Sequence, residues 1–106
     1  MFGLKQKDID SINGIFSQYP QISKVVLFGS RAKGNYQAGS DIDLTIFGDE
    51  IDLKLFHNIE LKIDDLSLPY KVDLSIYNDL KSEDLKEHIK RVGIVFFKTL
   101  YIYKKD

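Results

Sequence analysis

The sequence predicts an α/β (α+β) protein in which a small mixed β-sheet carries helices on one face. Three observations support this: helix-like and strand-like segments alternate, each strand-like segment has one polar face, and no repeat or linker divides the 106 residues. We therefore expect one domain over 1–106, with a core over about 7–97 and a tail over 98–106. The polar face of the sheet is expected to be open.

The first half of the chain predicts two helices and two strands. Apolar residues recur at helical spacing after Asp8, a possible N-cap: Ile9, Ile12, Ile15, Phe16 and Tyr19. The β-rich run 24–28 predicts a strand, and 30–33 a short helix that ends at Gly34. Residues 41–47 alternate polar with apolar side chains, which is typical of a half-buried strand.

The second half continues the alternation. Residues 52–67 carry apolar side chains at helical intervals, and 71–77 predict a third strand with one polar face. Ser82 is a candidate cap for a helix that Gly93 closes. The apolar run 94–97 predicts a last short strand.

The composition excludes several classes of protein. With 15 basic and 16 acidic residues the net charge is -1, which disfavours nucleic acid as a partner without excluding it. No cysteine is present, so a disulfide framework and a Cys-based metal site are excluded. The sequence shows neither a signal peptide nor a membrane-length apolar run, which predicts a cytoplasmic protein. A chain this short buries a limited share of its surface, which leaves room for a partner, including a second copy in a homodimer.

Three aspartates break the local preference of their segments. Asp41 and Asp43 are two residues apart in a strand-like run, so they project to the same side, while Asp73 has the same phase in the third strand. Aspartate is a poor strand former, and such breaches are usually functional. The alternative is that Asp41 turns the chain, Asp43 is solvated and Asp73 is unrelated. If the two strands are adjacent, the three carboxylates converge.

Converging carboxylates predict a divalent metal ion. Two of them about 4 Å apart repel by roughly 4 kcal/mol at an effective dielectric constant near 20. All-oxygen ligands suit Mg²⁺ or Mn²⁺, and Mg²⁺ typically combines one or two carboxylates with substrate phosphates. The pattern therefore indicates a nucleotide substrate as well as a metal.

A glycine and a serine follow the first strand directly. Gly29 lets the backbone approach a phosphate closely, and Ser30 opens a helix start with free N–H groups and a hydroxyl. Arg31 and Lys33 are candidate partners for β- and γ-phosphate charge. The alternatives are that Ser30 is an ordinary N-cap and that both cations are solvated.

Together these residues resemble a known signature. Gly29-Ser30, ten intervening residues and then Asp41-Ile42-Asp43 are similar to the motif of the DNA polymerase β-like nucleotidyltransferase superfamily. The wider segments 27–34, 40–44 and 72–74 resemble its prokaryotic minimal nucleotidyltransferase (MNT) branch. The resemblance spans nearly the whole chain in length and element order, and it implies the polymerase β-like nucleotidyltransferase fold.

The resemblance also implies a role for each motif residue. Asp41 and Asp43 would hold two Mg²⁺ ions, and Asp73 would complete the second site. Gly29 and Ser30 would bind the triphosphate of ATP. All three aspartates would be catalytic, and Asp73 is the candidate acceptor of a hydroxyl proton.

The MNT branch implies a function and a partner. Such proteins are commonly encoded beside HEPN-domain proteins, and the implied reaction transfers AMP from ATP to a tyrosine of the HEPN toxin, so that the MNT protein is the antitoxin. One alternative is transfer to a small molecule such as an aminoglycoside, and another is a non-catalytic module that binds its partner. Polymerase activity fits least, given the neutral charge. His57, His88, Tyr101 and Tyr103 are assigned no chemistry.

Overall fold

The α/β prediction is confirmed by the computed structural model, which describes residues 1–99. Helices and strands alternate along the described chain, apart from a single turn of 3₁₀ helix at Tyr77–Asp79. The elements are α1 Gln6–Phe16, β1 Ile22–Phe28, α2 Ser30–Lys33, β2 Ile42–Gly48, α3 Leu53–Asp64, β3 Val72–Ile76, α4 Glu83–Val92 and β4 Ile94–Lys98.

The four strands form one mixed sheet in the order β3-β2-β1-β4. Strand β1 is antiparallel to both β2 and β4, whereas β2 and β3 are parallel. The carboxyl end of β1 therefore lies beside the amino ends of β2 and β3. This edge of the sheet is where the sequence places its aspartates and its Gly-Ser turn.

Of the two predicted helix N-caps, Ser82 is confirmed and Asp8 is not, while Asp52 is a cap that the sequence analysis did not single out. The side chains of Asp52 and Ser82 accept backbone N–H groups at the starts of α3 and α4, at 2.8 and 3.1 Å. The prediction that Asp8 caps the first helix is wrong. Helix α1 begins two residues earlier, at Gln6, and Asp8 is buried in its first turn, where a negative charge complements the helix dipole.

Helix α3 is shorter than the predicted 52–67. It ends at Asp64, and Ser67 has φ of 53°, a left-handed conformation that an α-helix cannot contain. At the other end of the chain, β4 runs to Lys98, one residue past the predicted core. Residues 100–106, including Tyr101 and Tyr103, lie outside the described residues.

The main core lies between the sheet and the pair α1 and α3. Its members alternate along the strands and recur every three or four residues along the helices. The central, fully buried side chains are Ile12, Phe16, Val25, Leu27, Ile42, Leu44, Ile46 and Ile59. Because the apolar side chains of β1 and β2 pack into this core, Asp43 and the strand residues two positions from it point to the opposite face of the sheet.

Helix α4 covers part of that opposite face, which the sequence predicted to be open. Ile89 and Val26 are buried but do not belong to the main core. The ring of His88 meets the Phe28 ring edge-on, with centroids 6.4 Å apart. The reason is topological: β3 and β4 lie at opposite edges of the sheet, so the chain between them must cross one face.

No helix within residues 1–99 combines the length and the apolar character that crossing a membrane requires.

Candidate active site

Three carboxylates meet where β2 and β3 begin. Asp43 and Asp73 are partners in the parallel β2–β3 pair, so their side chains leave the same face from backbones about 4.8 Å apart. Asp41 lies two residues before Asp43, just ahead of β2. The structure therefore brings the three predicted aspartates to one place, because the two strands that carry them are neighbours.

Within this cluster, the Asp43 carboxyl group has a raised pKa. Its partial burial raises the pKa of its carboxyl group, and the charges of Asp73 and Asp41 raise that pKa further. His88 acts in the opposite direction and lowers it. Asp41 and Asp73 are themselves exposed. A cation bound beside Asp43 would offset both the partial burial of its carboxylate and the repulsion from Asp73 and Asp41.

The donor set fits a metal ion that binds together with a substrate. No three His, Cys, Asp or Glu side chains within residues 1–99 form a ready-made cage that could hold a metal ion. Mg²⁺ seldom requires one, because it typically takes one or two carboxylates and completes its shell with water and substrate phosphates. Oxygen donors of Asp41, Asp43 and Asp73 are of the right chemical type for this arrangement.

Gly29 lies directly against Asp43. Phe28 and Asp43 are antiparallel partners, so the chain turns at Gly29 immediately beside the carboxylate. The turn requires φ of 76° and ψ of -155°, a combination that is essentially restricted to glycine. A Cβ atom at this position would also come closer than 3.0 Å to Asp43 Oδ2. The structure thus shows a close approach of Gly29 to the Asp43 carboxylate, and the predicted approach to a phosphate stays a prediction.

Ser30 is the first residue of α2, and its side chain is half-buried. The helix is a single turn, which Gly34 ends in the left-handed conformation, with φ of 87°, as the sequence predicted. The backbone N–H of Gly34 donates to Ser30 O at 2.9 Å. The serine hydroxyl is therefore held on a tight turn adjacent to the carboxylates.

Arg31 and Lys33, both predicted to contact phosphate, have different surroundings. Lys33 is exposed, whereas Arg31 is only 2% exposed. The three guanidinium nitrogens of Arg31 donate to backbone carbonyl groups of Phe2, Ala38 and Ser40. The structure thus gives Arg31 internal partners and leaves Lys33 as the exposed cation of the pair.

His88 is the site residue that sequence reasoning missed. It lies on α4, packs against Phe28 and influences the charge state of Asp43. The helical pattern places it on the flank of the Ile89 stripe, but only the path of α4 across the sheet brings it to the carboxylates. His57 behaves as expected for a residue without chemistry, since it is exposed on α3 and pairs with Glu60 at 3.2 Å.

The chain matches the family model described as "Polymerase beta, Nucleotidyltransferase" over residues 10–100. It is also 31% identical over 93 residues to the "Probable protein adenylyltransferase MntA" of Haemophilus influenzae. That alignment covers 87% of this chain and 81% of the relative.

Solved structures share the fold. A toxin–antitoxin crystal structure with AMP-PNP gives a TM-score of 0.68 at 22% identity, covering 95% of this chain and 79% of that one. A Shewanella oneidensis complex, described as a tri-AMPylated HEPN toxin with its MNT antitoxin, gives 0.66 at 19% identity and covers 95% and 78%. At these identities the likeness is one of fold.

Proposed function

The chain belongs to the polymerase β nucleotidyltransferase family, in its MntA-type branch. We therefore propose that it transfers AMP from ATP to a tyrosine hydroxyl of a HEPN-domain toxin. The observation that carries the proposal is the convergence of Asp41, Asp43 and Asp73 beside the Gly29 turn. An antitoxin role follows, since the modification would fall on the toxin.

The nucleotide would lie with its triphosphate at the Gly29-Ser30 turn. The Ser30 hydroxyl donates a hydrogen bond to a phosphate oxygen, and the backbone of Gly29 allows the phosphate chain to come close. Lys33, the exposed cation of the same turn, is placed to neutralise charge on the outer phosphates. These contacts orient the α-phosphorus of ATP towards the acceptor.

Nucleotidyltransferases of this family generally use a nucleoside triphosphate and a divalent metal ion. Asp41 and Asp43 would hold two Mg²⁺ or Mn²⁺ ions, with Asp73 completing the second site, and such ions supply charge neutralisation at the transferring phosphoryl group. Asp73 takes the proton of the acceptor hydroxyl. The acceptor oxygen then bonds to the α-phosphorus, the bond from that phosphorus to the β-phosphate oxygen breaks, and pyrophosphate leaves.

The openness of the site supports a protein as the acceptor. Asp41 and Asp73 are exposed, so the described residues leave the carboxylates accessible to a large molecule. The relative from Haemophilus influenzae is named a protein adenylyltransferase, and the Shewanella oneidensis complex contains an AMPylated HEPN toxin. A HEPN partner would supply both the acceptor tyrosine and the wall that excludes water from the reaction.

Labelled ATP distinguishes this proposal from its alternatives. The chain is incubated with α-labelled ATP and Mg²⁺ in the presence of a HEPN toxin, an aminoglycoside or neither. Label on a toxin tyrosine is the expected result. Label on the aminoglycoside would support a small-molecule transferase instead, and a stable unlabelled complex with the toxin would support a binding module.

A further inference from the structure

The buried guanidinium of Arg31 joins the two halves of the candidate site. Ser30, its neighbour, belongs to the phosphate turn, while Asp41 belongs to the carboxylate cluster. Between them runs the 34–41 loop, most of whose side chains are exposed. The loop enters none of the helices or strands before β2 begins at Ile42.

Arg31 contacts this loop at its far end. Its Nε and Nη2 atoms donate to Ser40 O at 3.2 and 2.9 Å, and Nη2 also reaches Ala38 O at 3.5 Å. Ser40 is the residue before Asp41. The fork of two nitrogens on one carbonyl therefore fixes the backbone immediately ahead of the first carboxylate.

The same guanidinium reaches two further segments. Its Nη1 atom donates to Phe2 O at 2.8 Å, which ties the amino-terminal segment to α2. The Tyr36 and Tyr70 rings lie 5.2 and 5.0 Å from its central carbon, in the range of cation–π contacts. Tyr70 is three residues ahead of Asp73, so the segment that leads into β3 packs on the arginine as well.

Burial of this charge is otherwise unfavourable. A buried cation is normally paired, and no carboxylate in the described part of the chain forms an ion pair with Arg31. Its charge is met instead by carbonyl oxygens and aromatic rings. Lysine would supply one nitrogen in place of the planar fork, so it could not reproduce the two-nitrogen contact with Ser40 O alongside a bond from a separate nitrogen to Phe2 O.

We propose that Arg31 is a positioning residue, which sets the distance between the Ser30 phosphate turn and Asp41 by holding the 34–41 loop. The reaction that it serves is the proposed nucleotidyl transfer, on which this inference rests. Direct phosphate contact would have given Arg31 the opposite signature, namely free guanidinium donors at the surface.

The test compares Arg31→Lys with Arg91→Lys, since Arg91 is the other arginine of the chain and is exposed on α4. Arg31→Lys is expected to lower kcat by about 10- to 100-fold, because small misplacement of reacting groups has effects of this size. The KM for ATP is expected to stay within about threefold, as the phosphate contacts themselves remain. Arg91→Lys should match the wild type.

Amide hydrogen exchange of the 34–41 loop gives a readout that is independent of activity. Arg31→Lys is expected to raise exchange in this loop by about tenfold or more while exchange in the main-core strands is unchanged. If the wild type transferred AMP to no acceptor, the proposed function would fail while this readout still tested the loop. Unchanged exchange, or a raised KM with normal kcat, would overturn the positioning role.

A second variant perturbs the same cluster and keeps the arginine. A Cβ atom at Gly3 would come closer than 3.0 Å to the Tyr36 ring and to Arg31 Nη1, and Gly3 has φ of 72°. Gly3→Ala is therefore expected to raise amide exchange in the 34–41 loop and to lower kcat, both by a smaller factor than Arg31→Lys. If Arg31→Lys does not fold, wild-type exchange and kcat in Gly3→Ala would overturn the proposal.

Discussion

Gly29 and Asp43 illustrate how single residues constrain one another in this site. The glycine supplies a backbone conformation that other residues rarely adopt, and the space beside its Cα is filled by the aspartate carboxylate. A side chain at position 29 would therefore disturb the turn and the carboxylate together. The two motifs of the site, which are distant in sequence, form one packed unit.

Gly29→Ala is expected to destabilise the fold by about 1–3 kcal/mol, the usual cost of a strained backbone conformation. It should also weaken the binding of a non-hydrolysable ATP analogue with Mg²⁺, because Asp43 is displaced. Denaturant unfolding and calorimetric titration measure the two effects. Gly14→Ala is the control, since this helical glycine has open space around it and should gain about 0.5–1 kcal/mol. Unchanged stability and affinity in Gly29→Ala would contradict the packing described.

Asp43→Asn is expected to raise the Tm of the metal-free protein at neutral pH. The folded state raises the pKa of Asp43, so between its ordinary and its folded pKa the native state binds more protons than the unfolded state. Native stability contributed by this residue is therefore lost as pH rises through that window. The asparagine variant lacks this loss, so its advantage should shrink as pH falls towards about 4.

Thermal unfolding in the presence of a chelator, at several pH values, measures this difference. Addition of Mg²⁺ with nucleotide should then reverse the order, because only the wild type gains binding energy. A wild type that is more stable than Asp43→Asn at neutral pH without metal would contradict the destabilisation of the ionised Asp43 by its burial and by the charges of Asp73 and Asp41.

At the scale of elements, α4 is where sequence and structure differ most. The period of its apolar residues predicted the helix and its Ser82 cap, because both are local properties. Its position across the polar face depends on which strands lie at the edges of the sheet, and strand order leaves no local trace in the sequence. His88 was missed for this reason, although its own helix was predicted.

His88→Ala is expected to impair transfer mainly at low pH. His88 lowers the pKa of Asp43, so its removal raises that pKa further, and Asp43 must be ionised to bind a cation. The acid limb of the kcat/KM profile should move to higher pH, with a loss of up to about tenfold on that limb, the size of one pKa unit. His57→Ala, on the far helix α3, should leave the profile unchanged. An unmoved acid limb in His88→Ala would exclude this influence.

For the molecule as a whole, the sequence predicted the fold class and the common phase of Asp43 and Asp73. It left the meeting of the aspartates conditional on the adjacency of their strands, and the parallel pairing of β2 with β3 meets that condition. The environment of Arg31 could not be predicted, because its partners Phe2 and Ser40 are set by loop conformation rather than periodicity. Helices and strands follow local patterns, whereas buried polar contacts depend on how loops close.

The described residues form one sheet whose Asp41 and Asp73 side chains are exposed at one edge, and under the proposed function a HEPN partner would complete that edge. The acceptor tyrosine and the exclusion of water would both come from the HEPN partner. The Asp41, Asp43 and Asp73 cluster would attach AMP to that partner.

Mass spectrometry of a HEPN toxin after incubation with ATP, Mg²⁺ and each variant shows whether this cluster transfers AMP. The wild type is expected to add AMP to a toxin tyrosine, and Asp49→Asn, which alters an exposed aspartate just after β2, should do the same. Asp43→Asn should add none while remaining folded. AMP attachment by Asp43→Asn at the wild-type rate, or a wild type that binds the toxin and leaves it unmodified, would contradict the account.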